Sequence, residues 1–217
     1  MKGTFASSRR QCLRVAGASA GLLLLGSLSA CVPLAATGIA VGGLAMLDRR
    51  TMGAQTDDQA IEMRASSALK NVAGAAGVGV TSYNRKVLLT GVVTDDKARQ
   101  DIEAAMATVA NVRSVHNETT VGFRPSLSTS ANDTALTARV KAAFVEARDL
   151  QTNAFKVVTE SSTVYLMGLV TRREGDRAAY VASTVGGVRR VVTVFEYISE
   201  EELTTMERNA DGKGTAK

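Results

Sequence analysis

Residues 87–94 read Val-Leu-Leu-Thr-Gly-Val-Val-Thr, and residues 164–171, 77 positions later, read Val-Tyr-Leu-Met-Gly-Leu-Val-Thr. Each run is short, largely apolar and rich in β-branched residues, the pattern of a buried strand. Each carries a glycine at its centre, Gly91 and Gly168. An interior glycine weakens a strand, so it marks a bulge or the close approach of another backbone. The flanks repeat too: Val109-Ala110-Asn111-Val112-Arg113 is answered by Val185-Gly186-Gly187-Val188-Arg189 at a spacing of 76. One supersecondary unit built twice accounts for both matches.

The surrounding periodicities give each copy the same order of elements. In residues 57–122, Asp57 and Asp58 are candidate N-caps, and Ile61, Ala65, Ala68 and Leu69 fall on one helical face. Val78, Val80 and Ser82 alternate as a strand, Asn84-Arg85 makes a tight turn, and residues 87–93 return as its hairpin partner. Thr94-Asp95-Asp96 caps a second helix with Ile102, Ala105, Met106 and Val109 inward, and residues 112–121 form a third strand. In residues 133–198, Asn132-Asp133-Thr134 supplies the caps and Leu136, Val140, Phe144 and Ala147 the first core stripe. Phe155, Val157 and Thr159, the Ser161-Ser162 turn and residues 164–170 make the hairpin. Thr171 caps a helix burying Ala178, Val181, Ala182 and Val185, and residues 188–198 close the sheet. Residues 123–132, with Pro125 and several Ser and Thr, read as a linker. Residues 199–217 read as a flexible tail.

Upstream, Arg9, Arg10 and Arg14 precede a short apolar run, residues 15–28, with the flanks of an export signal rather than of a bilayer span. Leu28-Ser29-Ala30-Cys31 then resembles a bacterial lipobox, which makes residues 1–30 a lipoprotein signal peptide and Cys31 the lipidated residue. An uncleaved N-terminal anchor is the alternative. The Ser8–Arg14 stretch resembles a twin-arginine signal with Cys12 where an aromatic is usual, so both export routes stay open. Residue +2 is Val32 rather than Asp, which by the lipoprotein sorting rule implies the outer membrane. Several acyl chains make a stable anchor, at about 0.8 kcal/mol per buried CH₂. Residues 31–56 are then the lipidated cysteine and a Gly/Ala-rich tether, either free or partly packed on a domain through Val41, Leu44, Met46 and Leu47.

The formal charge of +5 does not indicate nucleic acid, because removal of Lys2, Arg9, Arg10 and Arg14 leaves 22 basic against 21 acidic residues. Few aromatics are present for base stacking, and export removes that ligand. His116 is the single histidine, and Cys12 and Cys31 leave no disulfide in the mature domains. Asp95-Asp96 and Glu200-Glu201-Glu202 read as a cap and a solvated tail, and no serine or threonine is paired with a base by any motif. Neither an enzyme, a metal site nor a cofactor is expected.

The string of helix, V-x-V, V-x-L-x-G-x-V, helix and (G)V-x-x-V resembles the BON domain. It occurs twice, and two copies behind a lipobox are similar to the dual-BON outer-membrane lipoproteins. The resemblance implies an α+β fold of two tandem αββαβ domains, each with two helices packed on a three-stranded mixed sheet. It also implies binding of an anionic phospholipid membrane, mainly through the second domain, and a role in envelope integrity at the periplasmic face of the outer membrane. The alternative function is a protein-interaction module that docks on outer-membrane assembly machinery or cell-division proteins, with membrane contact only through the lipid anchor. Such lipoproteins carry a Trp after the Asn-Asp-Thr cap, where this chain has Ala135.

At 100° per residue, the first helix of the second unit places Leu136, Val140, Ala143, Phe144 and Ala147 on one side. Opposite them lie Ala135, Ala138, Ala142 and Val145, with Arg139 on one flank and Lys141 and Arg148 on the other. Small apolar residues edged by cations suit an anionic bilayer surface, where each cation contributes about 1 kcal/mol. The same pattern also fits exposed helix-forming alanines beside solvated cations. The first unit serves as a control: its equivalents, Ala60, Met63, Ser67 and Lys70, are more polar. Residues 57–121 carry seven basic and eight acidic groups, and residues 133–198 nine and seven. Finally, Val164, Leu166 and Val170 alternate with Tyr165, Met167 and Leu169, so that strand is apolar on both faces. The second face needs a cover, either the other domain or a docked protein. Gly91 and Gly168 are candidate domain-packing points, with relief of crowding inside their own domains as the alternative.

Overall fold

The computed structural model describes residues 48–210. The signal peptide, Cys31, most of the tether and residues 211–217 lie outside them. Both repeats fall in one compact unit, Leu44–Lys217.

The first domain runs α1 (Met52–Leu69), β1 (Gly77–Tyr83), β2 (Lys86–Val93), α2 (Asp96–Ala107), β3 (Ser114–Asn117) and β4 (Thr120–Val121). The second runs α3 (Leu127–Glu146), a 3₁₀ turn (Thr152–Ala154), β5 (Phe155–Glu160), β6 (Thr163–Val170), α4 (Arg172–Thr184) and β7 (Arg190–Tyr197), and is followed by α5 (Glu200–Ala210). In each domain the hairpin is antiparallel and the last strand returns parallel to its second arm, which is therefore the central strand. This is the mixed αββαβ sheet expected from the repeat. In the first domain the last strand is broken in two, with β3 and β4 both alongside β2. At the break, Asn117 Oδ1 accepts from the Thr119 amide (3.2 Å) and hydroxyl (2.6 Å), drawing the chain out of the ladder.

The helices begin earlier than the aspartates suggest. Thr51 caps α1 by accepting from the Ala54 amide, and Ser126 caps α3 by accepting from the Thr129 amide. The tether and linker thus lose their last residues to helix. Asp58 and Asp133, expected as caps, are buried within those helices and bond to the hairpin turns instead. Asn84 and Arg85 both have positive φ, as do Ser161 and Ser162. Both amides of each turn are directed to a carboxylate. Asp58 accepts from the Asn84 and Arg85 amides, each at 2.7 Å, and from Ser82 Oγ at 2.7 Å. Asp133 accepts from the Ser161 amide at 2.8 Å and the Ser162 amide at 2.9 Å. A buried carboxylate is tolerated where such donors surround it, and here it locks the hairpin to the helix over it.

Each sheet buries one face under its own two helices. Ile61, Val87, Leu89, Ile102 and Met106 fill the first core; Val140, Phe144, Leu166, Val170, Ala178 and Phe195 fill the second. A third cluster joins Tyr83 and Leu88 of the first domain to Tyr165, Met167, Leu169 and Val194 of the second, with Met206 of α5 against it. The two-faced pattern of β6 is therefore resolved by the neighbouring domain. The expected flexible tail is helical through residue 210, with Leu203 buried. Its acidic first turn, Glu200–Glu202, suits a helix N-terminus.

Candidate functional site

The outer side of α3 is set by what its inner side buries. Asp133, Leu136, Val140 and Phe144 are the buried residues of the helix. Half a turn away, Ala135, Ala138, Ala142 and Val145 all face solvent, and Val145 is 65% exposed. Lys141 is exposed beside them and has no carboxylate partner among the described residues. Arg139 is also exposed, but its Nη1 donates to the Gly186 carbonyl at 2.9 Å, fixing the guanidinium at the edge of the face. Arg148 departs from expectation. The helix ends at Glu146, Ala147 is its C-cap and Arg148 has φ 49°, so helical periodicity no longer assigns Arg148 to the flank. The pattern at 100° per residue was carried two residues past the last helical one.

Leu127 is the residue that sequence reasoning missed. It was assigned to the linker, yet it opens α3 and is 92% exposed. The usable signal was Pro125-Ser126, a cap immediately before an apolar residue. On α1 the equivalent face presents Met63, Ser67 and Lys70 to solvent, while Ala60 is partly covered. Met52 occupies the place of Leu127, so the two helices differ at their C-terminal ends, Lys70 against Val145.

The domain junction is the other assembled feature. Tyr165 and Met167, expected as a docking surface if a partner covered the second face of β6, are 3% and 0% exposed and are packed by the first domain and α5. Tyr83 Oη donates to the Ala154 carbonyl (3.2 Å), Lys156 Nζ to Glu62 Oε1 (2.8 Å) and Asn84 Nδ2 to Glu196 Oε2 (2.9 Å). Burial pushes the Tyr83 hydroxyl up to about 12, with the Asp48 charge adding to it.

The atoms that stand nearest to a Cβ at Gly91 or Gly168 belong to the same domain as the glycine. A Cβ on Gly168 would stand 2.6 Å from the Ala154 carbonyl oxygen of its own domain, and one on Gly91, at φ 106°, would meet the Gly77 carbonyl. Each glycine lets the start of the paired strand close over the central one, which corrects the domain-packing assignment. The crowding at Gly91 is against the first residue of β1, and that at Gly168 against the last residue of the 3₁₀ turn that leads into β5. Gly168 bears on the junction only through Ala154, whose carbonyl receives Tyr83.

The segment before α1 straps the two domains together. Arg50 Nη1 bonds Asp58 Oδ2 at 2.6 Å and its guanidinium stacks on Tyr83 at 4.3 Å, both in the first domain. Arg49 crosses to the second domain. It holds Glu174 through two bonds of 2.7 and 2.8 Å, and donates to Gln151 Oε1 (2.9 Å) and the Leu169 carbonyl (3.1 Å). The paired side chains are 5% and 6% exposed. Burial would raise the Glu174 carboxyl, but the Arg49 hydrogen bonds and the Thr171 amide hold it below its ordinary value.

Among the described residues no three His, Cys, Asp or Glu side chains gather to hold a metal, and no helix is long and apolar enough to cross a membrane. His116 is exposed on β3.

Two αββαβ units, each with a buried helix aspartate on its hairpin turn and a glycine at the centre of its middle strand, define a tandem small-domain protein. The BON domain model matches residues 57–122 and 132–199, and the chain belongs to the BON-domain family. It is 34% identical over 183 residues to the outer membrane lipoprotein DolP of Haemophilus influenzae, covering 81% of this chain and 94% of that protein. It is 30% identical over 155 residues to the 21 kDa hemolysin of Actinobacillus pleuropneumoniae, covering 70% of this chain and 80% of the relative. Among solved structures, the C-terminal domain of CdsD from the Chlamydia trachomatis type III secretion system matches at 11% identity. It covers 65% of this chain and 67% of that one, with a TM-score of 0.27, too slight to bear on fold or function.

Proposed function

We propose that the chain is a non-enzymatic outer-membrane lipoprotein, held at the periplasmic face by acyl chains on Cys31. Its second BON domain reads anionic phospholipid through the outer side of α3, and in doing so supports envelope integrity. The lipobox-like sequence and the likeness to an outer membrane lipoprotein support the anchor. The observation that carries the lipid reading is the outward face itself: Ala135, Ala138, Ala142 and Val145 in solvent, directly opposite the core, with Lys141 beside them and without a carboxylate partner among the described residues. Small side chains let the helix backbone approach the headgroups, the Val145 methyls enter the acyl boundary, and the ammonium meets phosphate. Arg139 and Arg148 add charge at the edge and the end of the same face.

Flotation with vesicles tests this, using the chain from residue 32 onward, which lacks the leader and the acylated cysteine. Binding to anionic but not neutral vesicles, weakened by salt and lost in a Lys141→Glu/Val145→Asp variant, is expected. Absence of binding to anionic vesicles at low salt would leave the acyl chains as the sole membrane contact and end the lipid reading.

A further inference from the structure

Phe123 is 99% exposed and Leu127 is 92% exposed, four residues apart, at the opposite end of α3 from Val145. Phe144, Phe155 and Phe195, by contrast, lie in the second core. Leu127 and Val145 are 18 residues apart, which is five turns of helix, so they lie on one line along its surface about 27 Å apart. Ala131, Thr134, Ala138 and Ala142 lie on or next to that line between them and all are exposed, with the Thr134 hydroxyl turned back onto the Ser130 carbonyl. Two bulky apolar side chains on one straight line, with smaller ones between, match a flat apolar boundary. Charge points the same way: the acidic residues of α3 are Asp133, buried on the Ser161-Ser162 turn, and Glu146, about a quarter turn off the line. Lys141 stands nearest to the line, about 40° round the helix, whereas Arg139 lies about a third of a turn away and bonds the Gly186 carbonyl.

We propose that the membrane-contacting face of α3 begins at Leu127, with Phe123 just upstream, so that the helix lies flat on an anionic bilayer and inserts apolar side chains at both ends. This rests on the lipid reading above and adds a second insertion point to it. The chain carries no Trp of its own on α3, with Ala135 at the position noted above. Phe123 supplies the interfacial aromatic from the linker instead. Insertion at both ends fixes the helix parallel to the bilayer and so fixes which way the first domain is carried. Insertion at Val145 alone would let the domain pivot.

The sequence contains no tryptophan, so single substitutions report without background. Phe123→Trp, Leu127→Trp, Val145→Trp and, as control on the first domain, Met52→Trp would each be introduced into the chain from residue 32 onward, which keeps residues 48–210 whole. Emission and quenching are read with phosphatidylglycerol/phosphatidylcholine vesicles carrying brominated acyl chains. The expected result is a blue shift and quenching for the substitutions at 123 and 127 comparable to that at 145, with Met52→Trp unchanged. A Phe123→Ser/Leu127→Ser variant loses affinity by roughly tenfold or more. Quenching at 145 with 123 and 127 left in water would overturn the two-ended contact while leaving the lipid reading intact. Equal quenching of Met52→Trp would overturn it as indiscriminate adsorption. No quenching at any position, 145 included, would remove the lipid reading and this inference with it.

Discussion

Replacing Arg49 by Met removes one side of a buried ion pair that joins the pre-helical segment to the second domain. The side chains of Arg49 and Glu174 are 5% and 6% exposed, and the pair is doubly bonded at 2.7 and 2.8 Å. Breaking such a pair from one side costs about 3–5 kcal/mol, because the remaining charge is left buried. Two features place this case near the lower bound. Glu174 still accepts from the Thr171 amide at 3.0 Å, and Arg49 Nε is itself buried without a partner among the described residues, a cost the substitution relieves. Loss of the bonds to Gln151 and the Leu169 carbonyl works against that relief. The expected loss is about 3 kcal/mol, which for a unit of this size lowers the melting temperature by roughly 6–12 °C. Calorimetry reads the total, and a double-mutant cycle with Glu174→Gln isolates the pair, with an expected coupling of about 1.5–3 kcal/mol. Amide exchange should rise at the start of α4 and across the junction rather than in the first core. A loss under about 0.5 kcal/mol, or one confined to the first domain, would refute the strap.

The same pair sets a pH dependence. Because the Glu174 carboxyl is held below its ordinary 4.5 in the folded chain, its contribution is present above that value and is lost as pH falls through the folded one. The stability difference between wild type and Arg49→Met should therefore shrink in melts taken below about pH 4.5. Asp133→Ala, which removes the acceptor of two part-buried turn amides, should cost about 1–2 kcal/mol in urea unfolding. Asp58→Ala should cost more, since four donors converge on that carboxylate, Arg50 among them. Gly168→Ala should cost about 1–3 kcal/mol through the 2.6 Å approach to Ala154. Gly186→Ala, with nothing within 4 Å, should stay within about 0.5 kcal/mol of wild type in the same assay.

The doubled strand made the sheets legible because its alternation encodes both faces: even positions of β6 enter its own core and odd positions the domain junction. Helix existence was legible for the same reason, through Ile61 and Ala65 or Leu136 and Val140. Helix starts were not. An aspartate before an apolar stripe reads as a cap, and nothing local reveals that Asp58 and Asp133 satisfy turns 26 and 28 residues downstream. The Arg49–Glu174 pair spans 125 residues and has no local signature at all. The outer face of α3 was readable in its middle, where 100° per residue holds, and failed at both ends. Leu127 was hidden by the linker composition, and Arg148 by the left-handed residue that ends the helix. The helix after residue 199 was masked by its own acidic first turn, which reads equally as solvated tail.

Residue-resolved mapping of the lipid contact tests the central claim most directly. Amide shifts of the isotope-labelled chain from residue 32 onward would be followed by NMR as phosphatidylglycerol nanodiscs are added. The account predicts perturbation and line broadening concentrated on residues 127–148, absent with phosphatidylcholine alone, and little change along α1. Perturbations centred on α1, or on neither domain, would contradict it.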